Sequence, residues 1–209
     1  MAIIIGICGG SGSGKTTLSN ILNNRYKNIS FISYDSYYKD LSYLPKEKRD
    51  AKNFDEPCAL DEELFINQIQ KLSKGEPINK PIYDFSTHTR NLKTEIIISN
   101  EIIIVEGILI FSNRKLRDLF DIKIFLEADG DTRLSRRIIR DCNERKRTID
   151  SIVKQYFDTV KPMHEKYVEP KKRYCDIIIP NDINTNINKK SVEIIELYID
   201  DCLLNREGK

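Results

Sequence analysis

The string Gly9-Gly10-Ser11-Gly12-Ser13-Gly14-Lys15-Thr16 has the spacing G-x-x-x-x-G-K-[ST]. Glycines at these positions let backbone N–H groups curl around phosphate oxygens without Cβ clashes, and a following helix adds its positive end. In this arrangement Lys15 bridges β- and γ-phosphates, the Thr16 hydroxyl ligates Mg²⁺, and Thr17 belongs to the same phosphate-binding turn. The alternative is a chance glycine-rich turn, which the order of strand, loop and helix argues against. The spacing therefore predicts a bound nucleoside triphosphate with Mg²⁺. Glu106, at the end of the apolar run Ile102–Val105, is the expected acidic partner for the metal; a strand cap is its alternative role. Asp35 is the candidate base, placed to accept the proton of an attacking hydroxyl or to orient it with a magnesium-bound water. A turn or helix-cap aspartate is the alternative.

Positioning these groups requires a particular frame. Ala2–Cys8 is an unbroken β-rich apolar run, as in a strand buried on both faces, and Thr16–Arg25 suits the helix after the loop. Ile29–Ser33, Thr94–Ile98, Ile102–Val105, Ile122–Glu127 and Ile177–Ile179 read as strands, with a turn between the second and third. Asp61–Lys74, Phe111–Phe120, Asp131–Glu144, Ser151–Tyr167 and Lys189–Leu204 read as helices. Alternation of strand and helix predicts an α/β fold of P-loop NTPase type: a mostly parallel sheet with helices on both faces, spanning 1–209 as one domain. The polar, aromatic, proline-punctuated stretch 34–98 breaks the alternation and reads as an acceptor-binding insertion. The region 131–167 reads as a lid.

The lid carries Arg133, Arg136, Arg137, Arg140, Arg145, Lys146 and Arg147. Four of these share one helical face, and with few acidic i+4 partners their charge should meet an anion. Closure over a triphosphate supplies one. RNA is the competitor, but aromatic interleaving is missing from this helix.

Composition narrows the classes. Thirty-four basic against 32 acidic residues leave +2, which argues against a protein held to nucleic acid by bulk charge. No uncharged run is long enough to span a bilayer, and the short apolar start lacks the basic region of a signal peptide. Neither a nucleic-acid nor a membrane partner is expected. Five scattered cysteines without a CxxC pair, and two separated histidines, predict reduced thiols in a cytoplasmic protein and no zinc site. An N-K-x-D base-reading motif and an LSGGQ-like signature are both missing, so a GTPase and a transporter ATPase are disfavoured. A small-molecule kinase fits better.

Several strings carry a resemblance beyond the loop: Tyr34-Asp35-Ser36-Tyr37-Tyr38, Asn53-Phe54-Asp55-Glu56-Pro57, Pro81–Arg90, Glu106-Gly107-Ile108-Leu109, Arg136–Asp141 and Cys175–Pro180. These resemble uridine kinases (uridine–cytidine kinases), in the family's order, from about Ile3 to Pro180. The resemblance implies transfer of the γ-phosphoryl of ATP to the 5′-hydroxyl of uridine, and also cytidine, in pyrimidine salvage, with a homotetramer as the assembly. It implies Asp35 as catalytic aspartate beside Lys15, and Tyr38 beside the nucleoside. Phe54 would pack on the pyrimidine, Asp55 hold ribose hydroxyls, Tyr83 and His88 read the base edge, and Phe85 form a wall. Arg137, Arg147 and Gln155 would close from the lid, with Arg140 and Arg145 toward the donor phosphates, whether ATP or GTP. Two positions depart from the family: Lys146 stands where glycine is common, and Asn181-Asp182 follow Pro180 where Arg-Gly is frequent. A kinase of a phosphorylated sugar or other small alcohol is the second reading. A nucleotide-dependent RNA-binding or regulatory protein is the third.

Overall fold

The computed structural model describes residues 2–182 and 187–207. Strands β1 (Ile3–Gly9), β2 (Ile29–Ser33), β5 (Ile102–Glu106), β6 (Ile122–Glu127) and β7 (Ile177–Pro180) form one sheet in the order β2-β5-β1-β6-β7. Every pairing in it is parallel. Its central strands are continuous runs of Ile and Val because both faces are covered and no face needs polar residues. Alternate residues of β1 enter opposite cores. Ile4 and Cys8 pack with Phe65, Ile69 and Leu72 of α3 (Glu62–Ser73) and with Phe111 and Leu116. Ile3, Ile5 and Ile7 pack with Leu18 and Leu22 of α1 (Lys15–Arg25) and with Val192, Ile195 and Ile199 of α8 (Lys189–Glu207). Helices on both faces of a parallel sheet are the architecture the sequence predicts.

Residues 34–98 contribute no strand to that sheet. They contain a 3₁₀ turn (Tyr34–Tyr37), the short helix α2 (Lys46–Asp50), α3, and an antiparallel pair, β3 (Ile78–Asp84) with β4 (Thr89–Ile97). Two expectations change here. The stretch read as a separate strand at Thr94–Ile98 is the end of β4 and pairs with β3 rather than β5. β3 itself escapes a reading by pattern, since Asn79, Lys80 and Pro81 interrupt its alternation. Proline lacks an N–H, and the register shifts between Pro81 and Tyr83.

The helix read over Phe111–Phe120 shrinks to α4 (Arg114–Arg117), capped by Asn113, which accepts from the Lys115 and Leu116 N–H groups. Phe111 and Phe120 instead fill the core above Gly6, where an added Cβ would sit 2.8 Å from the Phe111 ring. Helix α5, in the region read as a lid, runs Gly130–Arg145. The run read as one helix at Ser151–Tyr167 is helical throughout, as α6 (Ile149–Gln155), a π turn (Tyr156–Val160), the short α7 (Lys161–Met163) and a second π turn (His164–Val168), with a 3₁₀ turn (Glu169–Tyr174) after it. No described helix is long and apolar enough to cross a membrane.

Candidate active site

The parallel register brings three strand ends to one edge, where open α/β sheets bind ligands. Ile7 of β1 and Ser33 of β2 both lie level with Glu106 of β5. The glycine loop leaves β1 here, Glu106 ends β5, and Asp35 follows two residues after Ser33. Two strands remote in sequence thus deliver two carboxylates in front of the loop.

Within the loop, Gly12 and Gly14 take left-handed backbone (φ 84° and 100°) that a side chain would strain, and a Cβ at Gly14 would strike the Asn181 amide. The Lys15 ammonium lies over the loop, donating to the Gly9 carbonyl at 3.0 Å and the Gly10 carbonyl at 3.1 Å. Thr16 and Thr17 are exposed at the first turn of α1, and the Ser13 amide donates to the Gly10 carbonyl.

Glu106 is buried and accepts from the Ser33 hydroxyl at 2.9 Å. Burial raises its pKa, Lys15 opposes that rise and Asp35 adds to it. Two carboxylates and the Thr16 hydroxyl suit Mg²⁺, which takes one or two protein carboxylates and fills its remaining positions with water and substrate phosphate. A buried carboxylate raised by burial beside a second one is a site that a cation would relieve.

The residues expected to receive a nucleoside form an aromatic cluster. Tyr38 meets Phe54 edge-on at 5.5 Å, Tyr83 at 5.3 Å and Phe85 at 6.5 Å. His88 stacks on Phe54 at 4.3 Å. The Tyr83 hydroxyl and His88 Nδ1 are buried without a hydrogen-bond partner, so this aromatic cluster carries two unpaired polar atoms. Asp55 is buried at its rim, its carboxylate within 3.5 Å of the Thr159 hydroxyl; burial raises its pKa and Arg137 opposes the rise.

The lid arginines divide. Arg137 donates to the Ser11 hydroxyl (3.0 Å) and to Gln155 Oε1 (2.9 Å), which Arg147 also reaches at 2.6 Å. Arg145 lies over the Phe85 ring at 5.2 Å, and Asp35 and Tyr38 bear on its charge, so it meets the aromatic cluster. Arg133 is buried under the glycine loop, against Gly10 and Gly12, rather than open to a ligand. The expected shortage of acidic partners is corrected by Asp141, fully buried and paired with four arginines.

Three structural residues went unassigned from the sequence. Asp141 was discoverable from its i,i+4 spacing to Arg137 and Arg145. Arg90 ties β4 to the turn after β2 and to the start of α3, donating to the Tyr37 and Tyr38 carbonyls and to Asp61. Asn181, where the resemblance leads to an expected arginine, donates to the Ser13 carbonyl at 2.7 Å and so braces the loop. Neither of the last two has a local pattern; tertiary approach alone creates them.

The model of the phosphoribulokinase/uridine kinase family matches residues 4–188. A uridine kinase of Clostridium novyi (strain NT) is 50% identical over 195 residues, 92% of either chain. One of Bacillus subtilis (strain 168) is 49% identical over 180 residues, 85% of either chain. Among solved structures, a possible uridine kinase from Bacillus stearothermophilus superposes with TM-score 0.61 at 17% identity, covering 85% of this chain and 88% of that one. Phosphoribulokinase from Rhodobacter spheroides gives 0.63 at 14% identity, covering 86% of this chain and 70% of that one. At such identities the structures speak for the fold alone, and they agree with the parallel sheet and its loop. With the family model spanning most of the residues that build sheet, loop, pocket and lid, the chain belongs to the phosphoribulokinase/uridine kinase family.

Proposed function

We propose that this chain is a uridine kinase that transfers the γ-phosphoryl of ATP to the 5′-hydroxyl of uridine, and of cytidine, in the cytoplasm. The observation that carries the reading is the aromatic cluster with two unpaired polar atoms, whose Tyr38 lies near Asp35, the residue that follows the strand end level with Glu106. A flat heterocycle with few polar edges matches it, and the relatives named uridine kinase support the same substrate.

In this reading the pyrimidine lies among Tyr38, Phe54, Tyr83 and Phe85, with the Tyr83 hydroxyl and His88 Nδ1 toward its edge. A phenol donates or accepts, and a neutral imidazole does either according to tautomer, so O4 of uracil and N4 of cytosine are both served. Burial lowers the His88 pKa; Asp50, 3.7 Å from Nε2, opposes the fall, and Arg49 and Arg147 add to it, so the neutral ring is favoured. Asp55 accepts from the ribose hydroxyls, and Arg137, Arg147 and Gln155 close the lid side.

Asp35 takes the proton as the 5′-oxygen attacks the γ-phosphorus and the bond to the β-phosphate oxygen breaks, releasing ADP. Lys15 shifts from its loop carbonyls to the phosphates, and Arg140 and Arg145 neutralise charge growing on the transferred group. Thr16, Glu106 and Asp35, in part through water, would hold Mg²⁺, which would supply positive charge to screen the donor phosphates.

Initial-rate assays of ADP release across a panel of nucleosides and sugar phosphates test this. Release that depends on uridine and cytidine is expected. Release that depends on a sugar phosphate, or that ignores every acceptor, overturns it.

A further inference from the structure

Asp141 of α5 is fully buried, and Arg137, Arg140, Arg145 and Arg147 converge on it. One carboxylate oxygen accepts from Arg140 Nε at 2.9 Å and lies 3.6 Å from Arg145 Nη1. The other lies 3.6 Å from Arg137 Nε and 3.7 Å from Arg147 Nη1, and forms no hydrogen bond. Its backbone carbonyl also accepts from the N–H groups of Lys146 and Arg147, which ties the end of the helix to the same point.

Among the described residues, Asp141 is the one carboxylate within ion-pair distance of these four arginines. One negative charge therefore meets four positive ones. Guanidiniums held this close repel unless something anionic stands between them, and a single carboxylate leaves most of their charge unbalanced. Three of the four arginines, Arg137, Arg145 and Arg147, reach Asp141 at ion-pair distance without a hydrogen bond, and Arg137 Nε is buried with no hydrogen-bond partner at all.

We propose that Asp141 is a positioning residue for the phosphoryl donor: an internal counter-anion that gathers the four arginines and leaves the excess charge of Arg140 and Arg145 for a polyphosphate to neutralise, while Gln155 and Ser11 also hold Arg147 and Arg137. The role rests on the kinase reading above, since the polyphosphate is the donor's. Asp141 itself does not touch the reacting atoms.

The test uses the full chain, with steady-state kinetics beside thermal melting in inorganic tripolyphosphate. Asp141→Asn keeps the shape and removes the charge. Its kcat should fall at least about tenfold while the KM for uridine moves less than about threefold. Its melting temperature should be lower than that of the unaltered chain without ligand, and tripolyphosphate should raise it by more, because the added anion replaces the missing one. Asp141→Glu keeps the charge one methylene away and should recover part of kcat. A kcat within about threefold of the unaltered enzyme, or equal gains from tripolyphosphate in both chains, overturns the proposal. Should Asp141→Asn not fold, Asp141→Glu decides: kcat lowered at least about threefold with a near-normal melting temperature supports it, and unchanged kcat overturns it. Missing uridine-dependent ADP release in the unaltered chain would instead overturn the kinase reading, leaving the melting comparison to judge Asp141.

Discussion

The ring of His88 lies flat on that of Phe54, centroids 4.3 Å apart and planes 14° from parallel. A third ring does not fit between planes at that spacing, so a pyrimidine stacked on Phe54 takes its other face or displaces His88. His88 also sits at φ 54°, backbone a histidine seldom adopts, and its Nδ1 is unpaired. These features suit a side chain held for a ligand. His88→Ala is expected to weaken uridine and cytidine alike by about 1–3 kcal/mol, the cost of an unpaired buried polar edge. Initial rates against each nucleoside give the answer; an unchanged KM for both removes His88 from the pocket.

Asp35→Asn is close to isosteric and removes the proton acceptor. Turnover should drop by roughly 10²–10⁴ while the uridine affinity stays within a few-fold. Isothermal titration beside steady-state rates separates the two. A raised KM with intact kcat would make Asp35 a binding residue.

Lys146 ends α5 in the left-handed region, at φ 55° and ψ 32°, where glycine is the ordinary occupant. A side chain there costs about 1 kcal/mol of backbone strain, partly offset by the freedom glycine brings to the unfolded chain. Lys146→Gly should therefore stabilise by about 0.5–1 kcal/mol in urea unfolding, and Lys146→Ala should show no such gain. Equal midpoints for the two variants would show that the strain is relieved elsewhere.

His164 gives the fold a pH dependence. Its Nε2 lies 3.3 Å from Glu169, its Nδ1 is buried and unpaired, and Arg133 and Lys15 bear on it. Burial first, then Arg133, pushes its pKa from 6.5 down to about 4, against the pull of Glu169. Between those values the unfolded chain holds a proton that the folded chain refuses. This contribution to stability is complete above about pH 6.5 and is lost as pH falls toward 4, by at most about 1.4 kcal/mol per pH unit. His164→Gln should flatten the difference curve over that window in denaturant titrations; parallel curves would mean the ring titrates normally.

The phosphate loop, its flanking strand and helix, and the parallel α/β frame were legible in the sequence because each is a local pattern. Glycine spacing fixes the loop's backbone freedom, and unbroken apolar runs such as Ile102–Val105 mark strands buried on both faces. The pocket residues were legible only through resemblance, for nothing in the order Tyr38, Phe54, Tyr83, His88 says that these rings meet. β3 stayed hidden behind Asn79, Lys80 and Pro81, whose side chains break the alternation while the backbone still pairs with β4. Tertiary structure alone decided that Asn181 braces Ser13 from 168 residues away, and that Arg133 turns under the loop instead of toward a ligand. Asp141 marks the boundary. Its spacing to Arg137 and Arg145 stands in the sequence, but burial is what makes one carboxylate the anchor of four arginines, because only away from water is that charge worth so much.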